Sequence, residues 1–151
     1  MTQPFRIEHG GRVERDTIRH FKFNGRDYTG QRGDSLASAL LANGVRLVGR
    51  SFKYHRPRGI FSIGSDEPSA LLQSGAGAWT EPNTRATQAE LHEGLIAASQ
   101  NHWPSLRFDL LAVNDRLAAA LSAGFYYKTF MWPAPFWRGY EYAIRRIAGL
   151  G

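Results

Sequence analysis

The densest group of reactive side chains is Arg50-Ser51-Phe52-Lys53-Tyr54-His55-Arg56-Pro57-Arg58-Gly59. Cations interleaved with Phe52 and Tyr54 suit phosphate pairing by Arg50, Lys53, Arg56 and Arg58, joined to aromatic stacking. The same pattern equally serves a loop anchored to a core or to an interface. The histidines His9, His20, His55, His92 and His102 show neither HxH nor HxxxH spacing, so no metal site is expected. No GxSxG, GxGxxG or Walker A run occurs, and Gly75-Ala76-Gly77 is too short and lacks a following helix pattern. Asp66 and Glu67 are adjacent carboxylates beside Pro68, with no second acid–base group placed against them, and read as a turn.

Composition narrows the chemistry further. The 151 residues carry 19 Lys+Arg against 13 Asp+Glu, a net charge of +6, and no cysteine. Without thiols there are no disulfides, thiolate metal sites, cysteine-held iron–sulfur clusters or thiol nucleophiles. A hydrophobic content of 42% supports a real core. No apolar run approaches the roughly 18–20 residues that span a bilayer, and the N-terminus lacks the apolar stretch of a secretory signal. The expectation is a soluble, cytoplasmic protein without a membrane partner. The basic balance suits an acidic protein partner or nucleotide phosphates at least as well as nucleic acid.

Several elements must position these residues. The first twenty residues, with Gly10, Gly11 and few core candidates, read as weakly structured. Phe21-Lys22-Phe23 and Arg26-Asp27-Tyr28-Thr29 alternate on either side of Asn24-Gly25, which predicts a two-residue hairpin. Asp34 or Ser35 can cap a helix that ends at Gly44, with Leu36, Leu40 and Ala37, Leu41 on one face. Val45 to Ser69 is punctuated by glycine and proline and reads as loop. Ala70 to Gln73 reads as a buried strand, and the stretch from Gly75 to Asn83 as turns. Thr87 to Gln100 fits a helix interrupted by Gly94 or a strand–turn–strand equally well. Beyond Trp103-Pro104, Asp109 to Leu121 looks helical, Gly124 to Trp137 is dense in aromatics and suits an interface or a core, and Pro135 opens a helix to Ala148.

Four strings carry a resemblance: Gly33-Asp-Ser-Leu-Ala-Ser-Ala-Leu-Leu-Ala-Asn-Gly44, Val48-Gly-Arg-Ser-Phe-Lys-Tyr-His-Arg-Pro-Arg-Gly59, Glu81-Pro-Asn-Thr-Arg-Ala-Thr87 and Gly124-Phe-Tyr-Tyr-Lys-Thr-Phe-Met-Trp-Pro133. From about Gly11 onward the chain resembles the N-terminal region of the α subunit of heterotetrameric sarcosine oxidase. That region is similar to β-grasp, plant-ferredoxin-like domains that hold a [2Fe–2S] cluster through C-x4-C-x2-C and a later Cys. Laid on that spacing, the positions here are Ser62, Glu67, Ala70 and Thr87, none of them a thiolate. The resemblance implies an α+β fold, a cluster-free ferredoxin-like β-grasp domain over 17–102. It is preceded by a flexible segment over 1–16 and followed by a helical, aromatic extension over 103–151. It also favours strand–turn–strand for Thr87 to Gln100.

The resemblance implies a function as well. Such enzymes oxidatively demethylate sarcosine to glycine, hydrogen peroxide, and formaldehyde or methylene-tetrahydrofolate, using FAD, FMN and NAD. None of these cofactors is expected in this chain, which stops at Gly151 before any nucleotide-binding fingerprint. It reads as a truncated α subunit or a separately encoded equivalent of its first domain. It is expected to be non-catalytic alone and to assemble with other subunits or with downstream flavin and NAD domains. The competing expectation is a free-standing basic module for nucleic acid or another anionic ligand.

Overall fold

The Asn24-Gly25 turn sets the register of the molecule. Asn24 and Gly25 have φ of 50° and 74°, the left-handed pair that a type I′ hairpin needs. The turn joins β1 (Glu14–Phe23) to β2 (Arg26–Arg32), antiparallel, with Phe21 opposite Tyr28 and their rings stacked 5.7 Å apart. α1 (Leu36–Ala42) follows, capped by the Ser35 hydroxyl, which accepts from the Ser38 N–H. Its buried face is Leu36, Ala37, Ala39, Leu40 and Ala42, whereas Leu41 stays 41% exposed. Alanine at these positions lets the helix lie close to the sheet.

This computed structural model describes residues 3–119 and 132–147. β3 (Gly49–Arg50) and β4 (Pro57–Arg58) form a small antiparallel ribbon. β5 (Leu71–Ser74), β6 (Glu81–Arg85) and β7 (Leu95–Ala98) complete a five-stranded sheet of order β2-β1-β7-β5-β6. β7 runs parallel to β1 through Phe21–Leu95 to Phe23–Ala97, and antiparallel to β5. A hairpin, a helix packed on it and a late strand parallel to the first make the α+β β-grasp architecture. The core is Phe21, Phe23, Leu36, Leu40, Val48, Leu72, Leu91 and Leu95, with Ala37, Ala39, Ala70, Ala86 and Ala97 between them.

Four local features differ from expectation. β1 begins at Glu14, inside the stretch read as weakly structured. β7 pairs only with Phe21 to Phe23, so the earlier part of β1 is held by its ladder to β2 and needs few apolar side chains. Within the 1–16 segment, expected to be flexible, Gln3, Phe5 and Arg6 contact the body of the domain. The Phe5 N–H donates to Ala42 O at 3.1 Å, the Gln3 amide to Thr29 O at 2.8 Å, and Arg6 pairs with buried Asp34. Glu81-Pro82-Asn83 is not a turn but the start of edge strand β6, where the missing proline N–H is tolerated. Finally, Thr87 to Gln100 contributes one strand rather than two. The Ser35–Glu90 pairing is an isolated bridge, and the chain turns at Gly94 (φ 75°) into β7.

The C-terminal part is a 3-10 turn over Leu110–Ala112, a short α2 (Val113–Arg116), a second 3-10 turn over Ala134–Phe136, and α3 (Trp137–Ile147). Most of the aromatic block, Gly124 to Met131, lies outside the described residues, as do Ala120 and Leu121.

Asp34 links the first elements. It is 2% exposed and accepts from both Arg6 guanidinium nitrogens (3.0 and 2.6 Å), the Gln31 N–H (2.8 Å) and the Ser38 hydroxyl (2.8 Å). Burial alone raises its pKa, but these donors outweigh it and hold the carboxyl below the usual range. Replacing Asp34 with Ala strands a mostly buried guanidinium and a buried N–H. Denaturant unfolding should show a loss of about 2–4 kcal/mol.

Candidate functional site

The basic loop is closed by the β3–β4 ribbon, with Arg50 opposite Pro57. Residues 51–56 turn back on themselves: the His55 N–H donates to Ser51 O and the Ser51 N–H to Arg56 O, each at 2.9 Å. His55 adopts φ 54°, which aims its ring inward, and the residue is 5% exposed.

The four expected phosphate ligands diverge. Arg50 points into the protein. Its guanidinium donates to Leu106 O (2.9 Å), His55 O (2.9 Å) and Arg107 O (3.3 Å), and lies 3.5 Å from Asp109 Oδ2. Its side chain is 9% exposed, so it is an internal tie rather than a ligand arm. Lys53 and Arg56 flank Tyr54, each cationic centre 4.8 Å from the ring centroid. Arg56 also pairs with Asp115 at 2.7 Å. Arg58 reaches the Ser69 hydroxyl at 3.3 Å.

Asp109 is the hub that the sequence did not single out. Its side chain is fully buried. Oδ2 lies 2.9 Å from His55 Nδ1, while Oδ1 accepts from the Trp103 N–H (3.0 Å) and the Leu111 N–H (3.2 Å). Burial raises its pKa, but the Trp103 N–H and His55 more than offset this, and the carboxyl titrates below the ordinary value. The only sequence signal for this hub is an aspartate that caps a 3-10 turn. The basic loop and the 103–115 segment are therefore bound through buried charge.

The positions that the resemblance sets against the cluster cysteines are brought together. Ser62, Glu67 and Ala70 lie on one loop, and the Thr87 hydroxyl donates to Gly64 O of that loop at 2.6 Å. The Glu67 carboxylate, not a turn residue at the surface, sits inside and is 1% exposed. Oε2 accepts from the N–H groups of Phe61 (2.7 Å) and Ser62 (2.6 Å), and Oε1 from those of Ser69 (2.6 Å) and Ala70 (3.0 Å). Burial pushes its pKa up, but the N–H groups of Ser62, Ser69, Phe61 and Ala70 prevail and lower it. These residues do not fit an iron–sulfur cluster. The four positions carry a hydroxyl, a carboxylate, a methyl and a hydroxyl, the chain has no cysteine, and the amides that line the loop already bind a carboxylate. No group of three or more His, Asp and Glu that could hold a metal exists among the described residues.

A cleft of about 530 Å³ lies between the hairpin, the end of α1 and residues 105–107, and Arg26, Arg46 and Arg107 face it. Arg50 helps to shape one wall through its bonds to the carbonyls of Leu106 and Arg107.

The hairpin, the helix packed on it and the late parallel strand define a β-grasp class, and comparison with known proteins agrees. The family model described as "2Fe-2S iron-sulfur cluster binding domain" matches residues 16–102, and the chain belongs to that family. The chain is 61% identical over 148 residues, 97% of its length, to sarcosine oxidase subunit alpha of Rhizobium meliloti (strain 1021). It is 36% identical over 115 residues to sarcosine oxidase subunit alpha of Corynebacterium sp. (strain U-96), covering 76% of this chain. It spans 15% and 10% of the length of those two relatives. A solved structure, "Crystal structure of L-proline dehydrogenase from P.horikoshii", overlaps 60% of this chain and 17% of that one at 21% identity and a TM-score of 0.48. The resemblance to the N-terminal region of the sarcosine oxidase α subunit, without the cluster cysteines, thus stands.

The Asp109 hub makes a pH prediction. A carboxyl whose folded pKa is depressed contributes stability that is complete above its unfolded value, near 4, and is lost as the pH falls through the folded value. Asp109→Asn should remove that part of the acid sensitivity and weaken the grip on 103–111. Denaturant unfolding followed by tryptophan fluorescence should show Asp109→Asn less stable than the parent above about pH 4, with the gap closing as the pH falls below that value; a gap that does not change with pH would show that Asp109 is uncoupled.

Proposed function

We propose that this chain is the N-terminal structural and assembly domain of a sarcosine oxidase-like multi-subunit flavoenzyme, cluster-free and not catalytic alone. The observation that carries the reading is the 61% identity to a sarcosine oxidase α subunit across 97% of the chain, in a sequence with no cysteine. On this reading FAD, FMN and NAD belong to other parts of the complex, the reaction is oxidative demethylation of sarcosine, and the compartment is the cytoplasm. No described helix is long and apolar enough to cross a membrane.

The basic loop supports assembly by a route other than a phosphate clamp. Arg50 and Arg56 hold the 103–115 segment against the β-grasp body. That segment leads into the aromatic stretch, whose Trp132 and Phe136 are 78% and 63% exposed, as suits a surface that meets a neighbouring domain. Lys53 and Arg58 remain candidates for contact with a partner or a cofactor phosphate. The alternative of a basic nucleic-acid module is weakened because the Arg50 charge is satisfied in the interior.

Co-expression with flavoprotein subunits tests the reading. The chain should co-purify with them and appear in the fraction that releases hydrogen peroxide from sarcosine. Alone it should show neither flavin nor iron–sulfur absorption and no sarcosine turnover. Turnover by the isolated chain would defeat the proposal, and so would salt-dependent oligonucleotide binding without flavoprotein association.

A further inference from the structure

Loops that wrap an iron–sulfur cluster turn backbone amides toward its sulfur atoms, because the cluster and its thiolates are anionic. Those donors belong to the backbone path itself. They do not vanish when cysteines are replaced, and a buried N–H left without an acceptor is costly. A chain that keeps the loop and gives up sulfur must therefore supply other acceptors, and a carboxylate is the strongest acceptor among the side chains.

We propose that Glu67 is that anion: a resident carboxylate seated in an oxyanion nest formed by the N–H groups of Phe61, Ser62, Ser69 and Ala70, in the place the family gives to the cluster. The geometry accounts for the choice of residue. Oε2 takes the two donors on the upstream side, Phe61 and Ser62, and Oε1 the two on the downstream side, Ser69 and Ala70. The four acceptor sites of a carboxylate are thereby filled by four backbone donors. The side chain is buried, and no cation pairs with it among the described residues, so the backbone amides alone balance its charge. An amide at this position would present N–H groups to at least one pair of donors. An aspartate is one methylene short of spanning both ends. The nest is thus an anion site of its own, with a carboxylate as its natural ligand class.

Removing the resident ligand tests this directly in the intact chain. Glu67→Ala should lower Tm by roughly 10 °C. Added acetate or formate, against chloride at matched ionic strength, should restore Tm in a saturable manner and leave the parent protein unmoved. Glu67→Gln, with nearly the same shape, should be destabilised and should not respond to acetate. If Glu67→Gln is as stable as the parent, or if folded Glu67→Ala ignores acetate and formate, the proposal fails. Should Glu67→Ala not fold, the parent itself decides the matter by NMR. The amide protons of Phe61, Ser62, Ser69 and Ala70 should lie far downfield and exchange roughly a hundredfold more slowly than exposed loop amides. Fast exchange at all four would overturn the assignment. None of these outcomes bears on co-purification with flavoprotein subunits, so the nest and the assembly reading fail separately.

Discussion

A charge taken out of water must be surrounded by donors, and in this protein that constraint organises the parts that the sheet cannot reach. Three carboxylates among the described residues are buried, and each fastens a different segment. Asp34 holds the N-terminal strap and the start of α1 through Arg6, Gln31 and Ser38. Glu67 closes the 61–70 loop with four backbone N–H groups. Asp109 draws His55, Trp103 and Leu111 to one point, with Arg50 close by. The hydrophobic core is small and rich in alanine, so it fixes the hairpin, helix and sheet but leaves long loops to be ordered by polar contacts. Where such a hub forms, the loop gains a definite shape, because a half-satisfied buried charge is worse than none.

The basic loop shows how that logic redirects function. A run of cations and aromatics invites a phosphate ligand. In the folded chain Arg50 is consumed by carbonyls and Asp109, and Arg56 by Asp115 and the Tyr54 ring. The cationic groups that face open space beside the cleft, Arg26, Arg46 and Arg107, are scattered along the sequence and form no motif. Within the basic loop Arg50 thus points inward, joining the β-grasp body to the 103–111 segment, while Arg56 meets Asp115 at the surface.

The positions that the resemblance sets against the cluster cysteines carry hydroxyl, carboxylate and methyl groups in this chain. Glu67 is the one of the four that can carry negative charge, and its carboxylate lies in the interior among backbone N–H groups. The family membership, which rests on residues 16–102, and the absence of cysteine are therefore compatible.

The Asn24-Gly25 hairpin, the Ser35-capped helix, the strand near Leu72 and the last helix were all legible in order, because each depends on local torsion preferences and short-range apolar spacing. The lack of cysteine-based chemistry followed from composition alone. The strand character of Glu14 to His20 and of Glu81 to Arg85 was not legible, since both are made by backbone ladders to partners rather than by their own side chains. Nor were the fates of Arg50, Glu67 and Asp109. Whether a charged residue reaches solvent, a ligand or the interior depends on which distant amides and carbonyls surround it, and separations such as 54 residues between His55 and Asp109 are closed only by the tertiary fold.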